Sequence, residues 1–131
     1  MKIAAITEDG NTISQHFGRA PYYLVLTVEN GQITNRDMRP KLGHMHFANE
    51  QHEELPGQPH GFSPAEQDRH TRMTAAIADC QALLCGGMGA GAYSSVQERG
   101  IKPIVTDILS IDQAVKAYID GTIVNHMERL H

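Results

Sequence analysis

The chain has 131 residues, 40% of them hydrophobic, with a net charge of −4 and a mean hydropathy of −0.36. That length supports one domain with a real core and excludes two doubly-wound halves. The acidic balance argues against general nucleic-acid binding and leaves room only for a local basic pocket. No stretch approaches a transmembrane span, and the N-terminus runs straight into a strand pattern, not a signal peptide. The expectation is a cytoplasmic protein with neither nucleic acid nor membrane as partner.

The first predicted strand, Lys2 to Thr7, has an Ile-Ala-Ala-Ile core and is followed by the turn-rich Glu8-Asp9-Gly10-Asn11. A compact polar loop follows, Ser14-Gln15-His16-Phe17-Gly18-Arg19-Ala20-Pro21. Tyr22 to Glu29 is rich in aromatic and branched residues and reads as a strand. Asn30-Gly31 signals a type I′ hairpin turn, which needs positive φ at both positions. The return strand, Gln32 to Asp37, is polar and belongs at a sheet edge.

Residues 38–62 break every period and hold Pro40, Pro56 and Pro59 together with His44, His46, His52 and His60. They predict a long loop carrying half of the chain's eight histidines. Ser63-Pro64-Ala65-Glu66 is a capping box with proline at the first helical position, opening a helix to about Asp79. Its buried stripe is Met73, Ala76, Ile77 and Cys80. His70, on the same helix, reads as a partly buried structural residue.

Gln81 to Cys85 predicts a short buried strand, and Ala92 to Arg99 a helix closed by Gly100. A left-handed Gly100 would place Ile101 where a Schellman motif needs its contact with Val96. Lys102 to Asp107 is the fifth strand. Ser110 and Gln113 form a second capping box for a helix over Ile111–Asp120, which presents Ile111, Ala114, Val115 and Tyr118 inward and ends at Gly121. The tail, with His126 and His131, is ambiguous between strand and coil.

The order βββαβαβα predicts an α/β protein with a mixed five-stranded sheet and helices on its faces, the ribonuclease H-like arrangement. Nuclease activity is not expected, because the first strand carries no carboxylate. Cys80 and Cys85 cannot pair. Five extended steps of about 3.3 Å put them roughly 16 Å apart, beyond the ~7 Å a disulfide allows. Cys80 reads as an apolar core residue. Cys85 is open to two readings, a core residue or a site thiol.

Chemistry is expected where Cys85-Gly86-Gly87-Met88-Gly89-Ala90-Gly91 joins a strand to a helix. Backbone N–H groups are unpaired there, and the helix dipole favours an anion. If strands one and four are parallel neighbours, His16 and Arg19 should face the N–H groups of Gly87, Gly89 and Gly91 at the C-terminal sheet edge. Met88 would offer a soft wall. The bland alternative is that the glycines only permit tight packing and the loop residues are ordinary.

The His16-Phe17-Gly18-Arg19-Ala20-Pro21-Tyr22-Tyr23 segment resembles the nitrogenase iron–molybdenum cofactor biosynthesis family. That family includes NifX-type carriers, the C-terminal part of NifB and the orange protein of sulfate-reducing bacteria. Ile77 to Leu84, the glycine loop through Gly100-Ile101-Lys102-Pro103, and Ile111 to Tyr118 resemble it too. The resemblance spans nearly the whole chain apart from residues 38–62, and implies one cofactor-biosynthesis-type domain over 1–131. It also implies a non-enzymatic carrier with no catalytic residue, binding an anionic metal–sulfur cluster. That cluster would be an iron–molybdenum cofactor precursor or a molybdenum–copper sulfide. Cluster-donor and acceptor proteins would be its partners. His16, Phe17, Arg19, Cys85, Gly86, Gly87, Met88, Gly89 and Gly91 would form the site, the cations matching charge and the sulfur atoms matching softness.

Two other readings compete. His44 and His46 lie two residues apart, so both imidazoles of an extended segment face one side. With His52 or His60 they could hold Zn²⁺, Ni²⁺ or Cu²⁺, or they could be incidental. Separately, Gly87-Met88-Gly89-Ala90-Gly91-Ala92 fits G-x-G-x-x-A, and Asp107 falls 20 residues beyond Gly87, as in a dinucleotide site.

Overall fold

The computed structural model describes residues 1–41 and 74–130. They form one five-stranded sheet in the order β3-β2-β1-β4-β5. β1 is Lys2–Thr7, β2 Tyr22–Glu29, β3 Gln32–Pro40, β4 Ala82–Cys85 and β5 Lys102–Val105. β2 runs antiparallel to both β1 and β3, whereas β4 lies parallel to β1 and β5 parallel to β4. Ala4 stands opposite Val25 on one side and Leu83 on the other. Every residue of β4, and all of β1 after Lys2, is buried. Consecutive burial along a strand means that both sheet faces are covered, as parallel strands require.

This is the mixed ribonuclease H-like α/β sheet expected from the element order. The hairpin turn has φ of 54° at Asn30 and 75° at Gly31, the pair of positive values that the dipeptide predicted. β3 continues three residues past its expected end, with Met38, Arg39 and Pro40 opposite Leu24, Tyr23 and Tyr22. β3 is an edge strand, so Pro40 at its end breaks no ladder bond. Arg39 anchors this extension through Asp37 (2.8 Å), Asp79 (2.7 Å) and the Ala76 carbonyl (2.9 Å).

α1 (Ala90–Glu98) starts two residues earlier than the apolar period suggests, with Gly89 as its extended N-cap. Its end is a Schellman motif. Gly100 has φ of 77°, its N–H bonds the Gln97 carbonyl (3.0 Å), and the Ile101 N–H reaches the Val96 carbonyl (3.3 Å). α2 (Ile111–Asp120) is capped by Ser110, whose hydroxyl accepts the Gln113 N–H at 3.3 Å, and closes on left-handed Gly121. Of the first expected helix, Thr74 and Ala75 are helical and Ile77 and Cys80 are buried, while residues 63–73 lie outside the described residues.

The tail resolves into coil with a short 3₁₀ turn, Met127–Arg129. It lies along the end of β5: the His126 N–H bonds the Val105 carbonyl (2.7 Å) and Asn125 Oδ1 accepts the Val105 N–H (2.9 Å). No helix among the described residues is long and apolar enough to cross a membrane.

Candidate functional site

Three parallel strands, β1, β4 and β5, end on one sheet edge, and the loops that follow them are stitched together there. The β1 loop begins with a small hydrogen-bonded turn. Thr7 Oγ1 accepts the Gly10 N–H (2.9 Å), and Asp9 accepts those of Asn11 (2.9 Å) and Thr12 (2.8 Å). These bonds hold the Asp9 carboxyl below its usual range. The Ile13 N–H bonds Leu109 O (2.8 Å) and the Ile111 N–H bonds Asn11 O (3.0 Å), joining this loop to the one after β5. The Ser14 N–H then returns to Ile6 O at 2.9 Å.

The next turn meets the glycine loop directly. Gly86 donates its N–H to Ser14 O (2.9 Å), and Phe17 donates to Gly87 O (3.1 Å). Within the turn, His16 O accepts the N–H groups of Arg19 (3.3 Å) and Ala20 (3.1 Å). His16 and Arg19 are exposed and Phe17 is buried between them in sequence, so the turn presents its two polar side chains outward and anchors itself with its ring. The packing of Gln15 marks the tightness of the junction: a Cβ on Gly86 would come within 2.5 Å of its side-chain amide, so that amide must move to admit one.

The glycine loop divides into structural and available donors. Gly86 spends its N–H on Ser14 O, and the Gly87 N–H lies against the Cys85 sulfur. The N–H groups of Met88 and Gly89 engage no other described residue. In the first turn of α1, Gly89 O takes the Tyr93 N–H (3.0 Å), which leaves the amides of Ala90, Gly91 and Ala92 without an intrahelical partner. Gly89 and Gly91 are partly exposed, whereas Gly87 is buried. The amides without a described partner outside the helix thus run from Met88 to Ala92.

The sulfur atoms sit differently from what softness matching suggests. Cys85 is wholly buried, its thiol directed at Ile104 O (3.7 Å), and burial pushes it up to about 12. Met88 is 1% exposed and is part of the core. Neither side chain reaches the surface, so both act in this structure as packing beneath the loop. Cys80 is likewise buried and held at about 12, first by desolvation and then by Asp79.

One residue here carried no sequence signal. Lys41 is only 5% exposed, and its ammonium donates to the Phe17 carbonyl from beneath the loop. Nζ lies 4.3 Å from the Phe17 ring centroid and 5.7 Å from that of Tyr23. Desolvation brings it down to about 7, partly offset by Cys85.

His44, His46, His52 and His60 lie outside the described residues, and so does His70. Among the described residues no three histidine, cysteine or carboxylate side chains are placed to hold a metal ion. Asp107 is exposed beyond the end of β5, with its carboxylate 3.6 Å from His126 Nε2, and His126 Nδ1 lies 2.7 Å from Glu128.

The fold is that of an α/β protein whose mixed sheet ends its parallel strands at one edge, where the turn carrying the exposed His16 and Arg19 meets the glycine loop. Residues 1–121 match the family described as dinitrogenase iron-molybdenum cofactor, and the chain belongs to that family. A relative in Methanocaldococcus jannaschii, itself uncharacterized, is 26% identical over 121 residues, covering 92% of this chain and 87% of its own. Among solved structures, the apo orange protein of Desulfovibrio gigas has a TM-score of 0.65 at 20% identity, covering 96% of this chain and 92% of its own. A Methanocaldococcus jannaschii protein provisionally described as a dinitrogenase gives a TM-score of 0.63 at 12% identity over 97% of this chain and 95% of its own. At these identities the structural likeness establishes the fold.

Proposed function

We propose that this protein is a cytoplasmic, single-domain carrier that binds an anionic metal–sulfur cluster and passes it on without turnover. The cluster would be an iron–molybdenum cofactor precursor or a molybdenum–copper sulfide, received from and delivered to cofactor-assembly proteins. The observation that carries this reading is the docking of the His16–Arg19 turn onto the glycine loop through Gly86–Ser14 and Phe17–Gly87. That junction brings the turn carrying the exposed His16 and Arg19 onto the loop that leads into α1, which supports this reading. Sulfide-rimmed clusters are large, anionic and weakly solvated. Arg19 supplies charge-assisted hydrogen bonds, the His16 ring a further donor, and the amides from Met88 to Ala92 neutral donors aligned with the helix dipole. Family membership supports the cluster's identity; the geometry supports the anion.

The test is an anaerobic titration of the apo protein with tetrathiomolybdate, with and without Cu(I), followed by absorbance and by backbone amide shifts. Saturable shifts confined to residues 14–20 and 85–92 are expected. The Arg19→Ala and His16→Ala variants should each weaken binding about tenfold, as loss of one hydrogen-bonded contact implies. Asp107→Ala should leave it unchanged. Weakening by Asp107→Ala alone would point instead to a ribose-binding site, and a response to Zn²⁺ only, confined to residues 44–60, would overturn the cluster reading.

A further inference from the structure

A buried ammonium costs stability unless it is paired, and among the described residues Lys41 faces no carboxylate. Its partner is a peptide carbonyl, that of Phe17, in the middle of the cationic turn. A trans peptide unit points its C=O and N–H in opposite directions. Lys41 holds the oxygen of the Phe17–Gly18 unit from the buried side, so the Gly18 N–H points the other way. Gly18 is exposed, a Cβ there would meet nothing within 4 Å, and its N–H donates to no described residue.

We propose that Lys41 is a positioning residue which grips the Phe17 carbonyl from inside the core and so presents the Gly18 N–H, between His16 and Arg19, as a donor to an anionic ligand. The inference rests on the carrier reading above and names a further donor within that site. The amide is sharpened twice over. Its direction is fixed, because Phe17 is pinned at both ends of its backbone, N–H to Gly87 O (3.1 Å) and C=O to Lys41. Its acidity is raised, because a cation on the carbonyl polarises the whole peptide unit. The Lys41 N–H also bonds Pro21 O at 2.9 Å, so the lysine itself is fixed to the far end of the turn. Other groups near the ammonium are the Phe17 and Tyr23 rings and the Cys85 thiol; His16 and Arg19 are the ionisable residues of the turn it grips, both exposed.

The experiment compares wild type and Lys41→Met, with the pH series run in a His16→Gln background that removes the neighbouring imidazole of the turn. The first readout is the apo Gly18 amide shift from pH 6 to 9. It should move with Lys41 titration in wild type and stay flat in Lys41→Met, a response that simple loosening of the fold would not produce. The second is tetrathiomolybdate affinity with His16 in place, expected to fall about tenfold in Lys41→Met. A well-dispersed amide spectrum of Lys41→Met establishes that it folds; should it not, Lys41→Arg keeps the charge and must abolish the pH response of Gly18 alone. If the Gly18 amide is indifferent to Lys41, the inference is wrong whatever binds. If wild type takes up no tetrathiomolybdate while Gly18 still tracks Lys41, the carrier reading fails and the Lys41–Gly18 coupling stands. If binding is intact in Lys41→Met and the ligand leaves Gly18 unshifted, the donor role fails and the carrier reading stands.

Discussion

At the scale of single residues, charge and softness separate in this site. That His16 and Arg19 are exposed was legible, because both lie in a short polar loop after a strand. Cys85 and Met88 were legible only as residue types: a sequence does not say which face of a strand end meets solvent, and both turn inward. Lys41 was not legible at all, since Pro40-Lys41-Leu42 sits where periodicity stops and nothing in it marks a buried cation. The burial of Cys85 has a direct consequence. Cys85→Ala should cost about 1 kcal/mol of stability through lost packing and leave tetrathiomolybdate affinity unchanged. Urea unfolding and the titration check the two halves. A folded Cys85→Ala protein that no longer binds would make the thiol a ligand after all.

At the scale of elements, backbone chemistry was read more reliably than element ends. The Asn30-Gly31 hairpin, the Gly100 Schellman motif and the Ser110 cap each follow from one local requirement, positive φ or an orphan N–H, which no distant contact alters. The end of β3 was missed for the converse reason. Arg39 is held in place by Asp79 and Ala76, forty and thirty-seven residues along the chain, and only the fold brings them together. Two glycines make the contrast testable. Neither Gly100 nor Gly18 would place a Cβ within 4 Å of anything, yet Gly100 has φ of +77°. Gly100→Ala should therefore cost about 1 kcal/mol from backbone strain alone, and Gly18→Ala close to nothing. Urea midpoints of the two variants decide it; equal costs would remove the strain argument.

At the scale of the whole molecule, the sheet order followed from the element order because a hairpin unit and two right-handed crossovers leave few alternatives. The distribution of titratable groups, by contrast, emerges only from the folded chain, and it predicts the shape of stability against pH. At the acid end, Asp79 is held well below the usual carboxylate range by Arg39 and Lys2, and Asp112 is lowered by Arg36. Their contribution is present above the ordinary carboxylate pKa and lost as pH falls through the folded value. It is small, because both pairs are half exposed and screened. Lys41 acts in the opposite window. Its folded pKa near 7 lies below the 10.5 of an unfolded lysine, so between them the unfolded chain binds more protons and stability rises with pH. One proton sets the ceiling of that slope at about 1.4 kcal/mol per unit. Above about pH 9 the curve turns over, since Cys80 and Cys85 ionise at their ordinary values only when unfolded and are held near 12 when buried. Wild-type stability should thus climb from pH 7 to a maximum near 9 and then decline. Lys41→Met keeps the cysteines and loses the climb. Its advantage over wild type should be greatest and constant below pH 7 and shrink steadily to pH 9, as read from urea midpoints at four pH values. A difference independent of pH would mean that the Lys41 ammonium is solvated or paired in the folded protein, and that its grip on Phe17 is not made at the expense of burial.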